Sequence, residues 1–382
     1  MKKLLFSVVA IVLLALAIST QFISYEEKGI YRFKVLNFPS NEVVVGVCWP
    51  FAVNHDGMAD GLELALDEIN SRKLAGAYTI RLIKRDDGFD SGKQTSIAKE
   101  FSDTPDMSAV IGYYDDAPAM KASTIFESAH LLHLIIGANN TDLTSHGFQY
   151  INRTILSSDR IAMRLARITK ERGYKKIVML WEEDAYGEDL GDQYQVDLNQ
   201  TDTQVIYQWS YSRKHVDFRK LVNELKMVDA DMIFFSGLEP EAGDFLRLAR
   251  KVGLNTPVIG AFSDTPEMRE HAGTAYEGAI FFDFYNVKSM TPENLSFVNK
   301  FFARYGRQPD TWAAQGYDAL HILARAIKFT GSRNPLDLSY AIRYSDAWEG
   351  ANGRYKFDRT GNIEDKPIFL YRIHNGIPML VQ

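Results

Sequence analysis

The middle of the chain repeats one pattern of apolar and polar positions. A continuous apolar run at residues 175–181 leads into a polar turn at 182–188 and then into a helix with one apolar face. The same succession begins again at residues 231–237 and 256–260. Continuous apolar runs followed by amphipathic helices are typical of parallel strands that are buried on both faces. Ligands bind at the loops after the carboxyl ends of such strands, so these turns are the first candidates for function.

A similar series precedes the middle one. Strands are predicted at 43–48, 79–85, 108–111 and 131–136, with amphipathic helices between them. Residues 149–154 are predicted to be an extended crossing segment, and residues 293–331 a helical region without strands. The end of the chain is rich in β-branched and aromatic residues, and its Asn375-Gly376 dipeptide is a strong hairpin signal.

Two alternating series of similar length predict the fold class. We expect an α/β protein with two Rossmann-like lobes, each with a parallel-sheet core and helices on both faces. The length of 382 residues fits two domains of roughly 150 residues each. The order of the segments suggests a chain that crosses between the lobes more than once. The predicted domains are an N-terminal lead-in at 20–42, a first lobe at 43–152 and 288–352, and a second lobe at 153–287 and 353–382.

The first 19 residues carry an export signal. Lys2 and Lys3 precede an apolar run at residues 4–18, which is the arrangement of a secretory signal peptide. The alternative is an uncleaved signal-anchor, although the run is short for a membrane span of about 20 residues. Under both alternatives the bulk of the chain lies outside the cytoplasm, in the periplasm or at the extracellular face.

Composition excludes several classes of function. The formal net charge of −6 and the absence of long basic runs give no reason to bind nucleic acid or an anionic membrane through charge. Cys48 is the sole cysteine, so it has no intrachain disulfide partner and is expected to be a buried, inert thiol. No dinucleotide, phosphate-loop or nucleophile-elbow motif is present, and the eight histidines form no metal-binding pattern. We therefore expect neither an enzyme nor a cofactor or metal.

Several segments in a fixed order resemble the type I periplasmic binding proteins, specifically the leucine/isoleucine/valine-binding branch of ABC transporter receptors. The resemblance covers about residues 43–375. It implies two lobes joined by a three-segment hinge, near 151–157, 283–290 and 350–357, that closes on a ligand. The segments that carry it are 61–70, Asp86-Asp87, 110–112, 184–188, 240–243 and 313–319.

The resemblance implies that a helix N-terminus and a nearby loop hold the ligand's carboxylate, an arrangement that suits an anion. Asp115 and Asp116 stand at the helix position, where negative charge opposes a carboxylate; alternatively, one of them caps the helix ahead of Pro118. The loop corresponds to Ala138, Asn139 and Asn140. Asn139 replaces the family's usual threonine and either contacts the ligand or forms an ordinary Asx-turn.

In the second lobe, the resemblance implies that Tyr186 packs on the ligand. Glu239 stands where the family often has an aromatic residue, and Phe262 stands near an acidic residue that pairs with the ligand's amine. The carboxylates that could substitute are Asp264, Asp115, Asp116 and Glu239. Trp49 and Tyr114 are further candidates for aromatic walls of the cleft. An acidic, aromatic cleft favours a cationic or neutral polar ligand over a branched-chain amino acid; a degenerate cleft without a ligand is the alternative.

The sequence thus predicts an exported solute-binding protein that closes on a small polar ligand, which is amino-acid-like, an amide or a cation. It is expected to be a monomer that delivers this ligand to the permease of an ABC transporter. The alternative is an exported sensing module that signals to a membrane receptor or kinase without transport, which a retained signal-anchor would favour.

Overall fold

A computed structural model of the protein describes residues 24–53, 56–213 and 216–381. The predicted export signal lies outside the described residues. Within them, none of the helices has the length and apolar character needed to cross a membrane. Two β-sheets organise this part of the chain, and each is the core of one α/β lobe.

The first sheet has five parallel strands. They are β1 Glu42–Trp49, β2 Thr79–Asp86, β3 Met107–Gly112, β4 Leu132–Ile135 and β5 Ile151–Arg153, in the spatial order β2-β1-β3-β4-β5. The central strands β1, β3 and β4 are buried almost throughout, which is why continuous apolar runs predicted them. The segment predicted to cross between lobes supplies β5, which pairs with β4 at the edge of this sheet.

The second sheet has seven strands. They are β6 Lys176–Glu182, β7 Gln204–Tyr211, β8 Met232–Ser236, β9 Val258–Gly260, β10 Ile280–Asp283, β13 Phe369–His374 and β14 Ile377–Leu380, in the order β14-β13-β10-β9-β8-β6-β7. Strands β13 and β14 form the predicted hairpin, and both Asn375 and Gly376 adopt the positive φ that its tight turn requires. Strands β11 Trp348–Gly350 and β12 Gly353–Tyr355 pair only with each other.

Twelve α-helices and two short 3-10 helices are present in the described part of the chain. The α-helices are α1 Tyr25–Leu36, α2 Met58–Ser71, α3 Ser91–Asp103, α4 Asp116–Ser128, α5 Ser158–Glu171, α6 Ala185–Leu198, α7 Phe218–Leu225, α8 Glu241–Lys251, α9 Pro266–Ala272, α10 Pro292–Tyr305, α11 Thr311–Thr330 and α12 Pro335–Tyr344. The 3-10 helices are Thr141–Thr144 and Gly273–Tyr276.

The chain passes between the two sheets three times. It leaves the first sheet after β5 and enters the second at β6. After β10 it returns to the first lobe, where α11 packs along α2. It then reaches the second sheet again at β13. The residues at which the lobes meet in each passage stay predictions, but the number of passages follows from the sheet topology.

Two buried residues of opposite charge, Asp318 and Lys366, lie at the third passage. The Asp318 carboxylate in α11 accepts hydrogen bonds from the backbone N–H groups of Ala351 and Asn352, at 2.8 and 2.7 Å, and from the Tyr355 hydroxyl at 2.9 Å. The Lys366 ammonium donates to the Asn352 carbonyl at 2.6 Å and lies 3.6 Å from the centre of the Tyr355 ring. Burial raises the pKa of Asp318 and lowers that of Lys366, so each group depends on the other to stay charged.

The contact between α2 and α11 requires a glycine. A Cβ atom at Gly61 would lie 2.0 Å from the backbone carbonyl oxygen of Ala313, which cannot move without shifting α11. We expect Gly61→Ala to lower the free energy of unfolding by roughly 1–3 kcal/mol because overpacking forces the backbone apart. Urea unfolding measures this change.

Gly191, within α6, provides the matched control for that substitution. A Cβ atom there would meet its nearest neighbours on Trp181 at 3.8 Å, an ordinary contact distance. Gly191→Ala is expected to raise the free energy of unfolding by about 0.5–1 kcal/mol through helix propensity alone. If both substitutions changed stability equally, close packing of α2 on α11 would not be the reason for Gly61.

Candidate ligand cleft

The carboxyl ends of the parallel strands in both sheets face each other across a candidate cleft between the lobes. Two polar contacts join its walls directly. The Asn140 side-chain amide donates to the Ala185 carbonyl at 3.3 Å, and the backbone N–H and hydroxyl of Thr141 donate to the Asp189 carboxylate at 2.8 and 3.2 Å. Loops after β4 in the first lobe and after β6 in the second therefore approach each other, as expected for strand ends that share a ligand site.

An aromatic cluster forms one wall. The ring centres of Trp49 and Tyr114 are 5.2 Å apart, and Trp312 lies 5.2 Å from the first and 5.1 Å from the second. Phe89 packs edge-on against Tyr114 at 5.4 Å. The Trp49 indole N–H donates to the Asp56 carboxylate at 2.9 Å. The predicted residues Trp49 and Tyr114 thus belong to one aromatic cluster. Its third member, Trp312, was not predicted from the sequence.

Asp116 occupies the loop that was expected to hold an anion. Its Oδ1 accepts hydrogen bonds from the backbone N–H groups of Asn139 at 2.6 Å and Asn140 at 3.1 Å. Its Oδ2 is buried and has no hydrogen-bond partner among the described residues. Burial raises the pKa of Asp116 to about 7, against the effect of those two hydrogen bonds. A side chain of the protein therefore uses the donors that would otherwise face a ligand carboxylate.

The alternative was that Asp115 or Asp116 caps the helix, and it holds only for the position of Asp115. Asp115 is the N-cap residue of α4, yet its side chain makes no capping hydrogen bond. Instead its Oδ2 accepts from the Gln94 side chain at 3.3 Å. Burial raises the pKa of Asp115 as well.

The loop after β4 is held by the protein itself. Ala138 is buried. The Asn139 side-chain amide donates to the Leu156 carbonyl at 2.6 Å, while the Asn140 Oδ1 accepts from the backbone N–H of Asp142, which is an Asx-turn. The Asx-turn considered for Asn139 therefore forms one residue later.

Arg153 ties this loop to a passage between the lobes. Its guanidinium donates to the carbonyls of Asn139 at 2.9 Å and Asn140 at 2.6 Å, and also to the Asn362 side-chain oxygen at 2.6 Å. Arg153 was not among the sequence-predicted residues, because a lone arginine at the end of a short strand gives no sign of such a role.

Tyr186 and Glu239 belong to the second lobe, where they follow strands β6 and β8. Tyr186 stands in the first turn of α6, whose N-cap Asp184 accepts from the Gly187 N–H at 2.7 Å. Burial, followed by the charges of Asp116, Asp184 and Glu239, raises the pKa of Tyr186. Burial, followed by the charge of Glu239, likewise raises the pKa of Tyr114 across the cleft. The charge of Glu239 thus acts on a tyrosine of each lobe.

The other carboxylates proposed as amine partners are engaged elsewhere. Asp264 forms an ion pair with Arg269 at 2.6 Å, and Asp116 is bound to the loop described above. Glu239 accepts a long hydrogen bond, 3.5 Å from the Ser263 N–H, and burial raises its pKa against hydrogen bonds from its own backbone and from the Thr265 side chain. Among these carboxylates, Glu239 is the one best placed to meet a cationic group.

Phe262 lies in the core of the second lobe rather than at the aromatic wall. It is 1% exposed, and its ring packs against Tyr276 and Phe281 at centre distances of 6.4 and 6.3 Å. The cleft is acidic overall. Two described cations lie near it. Arg153 is bound to the loop after β4, and Arg213 pairs with Glu182 at 2.8 Å and lies 3.5 Å from Glu241. Burial raises the pKa of Asp56 to about 7.

Two α/β lobes that meet at their strand ends around such a cleft define a hinge-closing binding protein. The chain belongs to the periplasmic binding protein family, whose model matches residues 50–376. It is 24% identical over 339 residues to an amino acid binding protein of Pseudomonas aeruginosa, covering 86% of this chain and 90% of the relative. It is 26% identical over 336 residues to a leucine-specific-binding protein of Salmonella typhimurium, covering 87% and 90%.

A solved structure supports the same assignment. An ABC transporter substrate-binding protein from Desulfitobacterium hafniense, in complex with leucine, superposes with a TM-score of 0.81 at 29% identity. The match covers 89% of this chain and all of that one. The fold and the leucine/isoleucine/valine-binding branch predicted from the sequence are thereby confirmed. The family is one of binding proteins rather than enzymes, and membership implies a periplasmic location.

Proposed function

We propose that this chain is an exported receptor that closes on a small polar ligand and delivers it to the permease of an ABC transporter. Family membership and relatives that include a leucine-bound ABC substrate-binding protein support this role. Closure between lobes is the usual way such proteins enclose a ligand. The protein is expected to act as a monomer.

Among amino-acid-like, amide and cationic ligands, the geometry favours a compound with a cationic group and no free carboxylate. The observation that carries this proposal is the engagement of the Asn139 and Asn140 N–H groups by Asp116. A ligand carboxylate at that loop would meet a carboxylate of the protein. In contrast, the charge of Glu239 raises the pKa of both Tyr114 and Tyr186, and aromatic faces together with a carboxylate suit an ammonium group.

A thermal-shift screen of the purified protein tests this proposal. A ligand that binds only the folded state raises the melting temperature by mass action. We expect stabilisation by amines, polyamines or amides and none by leucine, isoleucine or valine. Stabilisation by leucine would keep the receptor role and overturn the ligand class. No response to any of these compounds or to small organic acids would count against the receptor role itself.

The ionisation of Asp116 gives a pH prediction. An ordinary aspartate has a pKa of about 3.9, whereas burial raises that of Asp116 to about 7 in the folded protein. Between these values the folded state binds a proton that the unfolded state does not, so the free energy of unfolding falls as pH rises. The affinity for a cationic ligand is expected to rise with pH over the same range, because the cleft carboxylates ionise.

Asp116→Asn is the variant that checks this prediction. Asparagine keeps an oxygen that accepts from the Asn139 N–H but cannot ionise. Melting temperatures of both proteins, measured from about pH 5 to about pH 8, are expected to converge toward low pH and to separate toward high pH, where the variant is the more stable. Parallel curves would show that Asp116 does not titrate in this range.

Tyr186 provides a test of the cleft from the second lobe. Tyr186→Ala removes an aromatic face from the candidate site, and we expect affinity for an ammonium ligand to fall by roughly 0.5–2 kcal/mol. Tyr186→Phe keeps the ring face and is expected to retain most of the affinity. Isothermal titration with a compound identified in the screen measures both, and unchanged affinity in Tyr186→Ala would remove Tyr186 from the site.

A further inference from the structure

Helix α1, which precedes the first lobe, is fixed to it rather than tethered loosely. The Arg32 side chain is buried and donates to the carbonyls of Ala129, Ser102 and Thr104, the latter two at 2.8 and 3.2 Å. These carbonyls lie at the carboxyl ends of α3 and α4, where a cation also complements the helix dipoles. Gly29 packs so closely on His130 that a Cβ atom would lie 2.5 Å from its ring.

A second arginine holds the other end of α1. The Arg333 guanidinium donates to the carbonyls of Leu36 at 3.1 Å, Val35 at 3.2 Å and Phe38 at 2.8 Å. The backbone around α1 is therefore anchored to two separate parts of the lobe. Such a segment transmits its orientation to the lobe, which a flexible linker would not do.

Helix α1 lies at the end of the first lobe opposite the cleft. Helices α3 and α4 start at the carboxyl ends of β2 and β3, so their last residues, which Arg32 contacts, lie at the amino ends of the strands. Helix α11 likewise starts near the cleft, where Trp312 packs on Trp49, and ends at the far side.

This far end exposes apolar side chains. Tyr31 is 58%, Phe38 68% and Phe329 80% exposed, and Ile30 and Phe33 are exposed as well. We name these five residues the basal surface. Lys34 and Lys328 accompany them and make no ion pair with another residue of the described ranges. Aromatic side chains mixed with lysines are typical of segments at the membrane–water interface.

We propose that the basal surface rests on the lipid bilayer, next to the N-terminal apolar run of residues 4–18. Only residues 19–24 separate the apolar run from α1. Six residues span at most about 20 Å when fully extended, so an inserted run brings α1 to the membrane surface. The inference concerns the placement of the protein and does not depend on the ligand.

Fluorescent labels on the full-length protein test this placement. Cys48 is buried, so an introduced thiol can be labelled selectively. Tyr31→Cys and Phe38→Cys place a label on the basal surface, and Met227→Cys, 88% exposed in the second lobe, is the matched control. The labelled chains are reconstituted in vesicles of phosphatidylethanolamine and phosphatidylglycerol, with and without nitroxide-labelled lipid. All three positions are exposed, so folding should be retained.

We expect the nitroxide lipid to remove most of the fluorescence at positions 31 and 38 and little at position 227. Equal quenching at all three positions would overturn the proposal. So would quenching between labels of neighbouring copies without an effect of the nitroxide, because the basal surface would then contact a second copy.

Discussion

Replacement of Asp318 with alanine is expected to lower the free energy of unfolding by roughly 3–5 kcal/mol, because it leaves the buried ammonium of Lys366 without a counter-charge. The substitution also removes the acceptor of two backbone N–H groups and the Tyr355 hydroxyl. Urea unfolding measures this change as a shift in the midpoint urea concentration, with the dependence of the free energy of unfolding on urea concentration unchanged.

Two further variants separate the buried pair from a general effect of lost charge. Asp365→Ala removes a fully exposed partner of Arg164 and is expected to cost at most about 1 kcal/mol. Asp318→Asn combined with Lys366→Met removes both charges and should be more stable than Asp318→Ala alone. If Asp318→Ala cost no more than Asp365→Ala, the pair would not stabilise the third passage between the lobes.

Loss of the Glu239 charge is expected to have the largest effect on binding. Glu239→Gln keeps the shape of the side chain but removes its charge, and a hydrogen bond to a charged group contributes roughly 1.5–3 kcal/mol. Affinity for a cationic ligand should therefore fall about 10- to 100-fold, since 1.4 kcal/mol is a factor of ten.

The control for this prediction is Glu188→Gln. Glu188 is exposed in the first turn of α6, two residues from Tyr186, and we expect its substitution to leave affinity nearly unchanged. Isothermal titration at neutral pH compares the two variants. Equal losses of affinity in the two variants would indicate that the ligand responds to the total negative charge of the cleft. No loss of affinity in Glu239→Gln would mean that another carboxylate contacts the ligand.

Much of the fold follows from apolar runs, and the parts that do not follow have identifiable causes. Strand β7 was not predicted because it lies at a sheet edge and alternates between exposed and buried positions instead of presenting a continuous apolar run. Helix α1 was not predicted because its buried face contains Arg32 and Gly29, so no apolar periodicity marks it. Strands β1, β3 and β8 were predicted because both of their faces are buried.

The site is harder to predict from the sequence than the fold is. The resemblance pointed to Tyr186 and Glu239, and Trp49 and Tyr114 were added as candidate aromatic walls. That these four residues line one ligand site stays a prediction. The direction of a side chain in a loop depends on the backbone conformation of one or two neighbouring residues, which the sequence pattern does not show. Phe262 packs into the core two residues after β9.

The bonds of Arg153 imply that affinity can be altered from a distance. One guanidinium contacts both the loop beside Asp116 and Asn362, which lies on the third passage of the chain between the lobes. The position of the loop and that of the third passage are thus linked by one side chain. Natural variation at Asn362 would retune the receptor without touching its ligand, so related proteins with identical cleft residues need not share one dissociation constant.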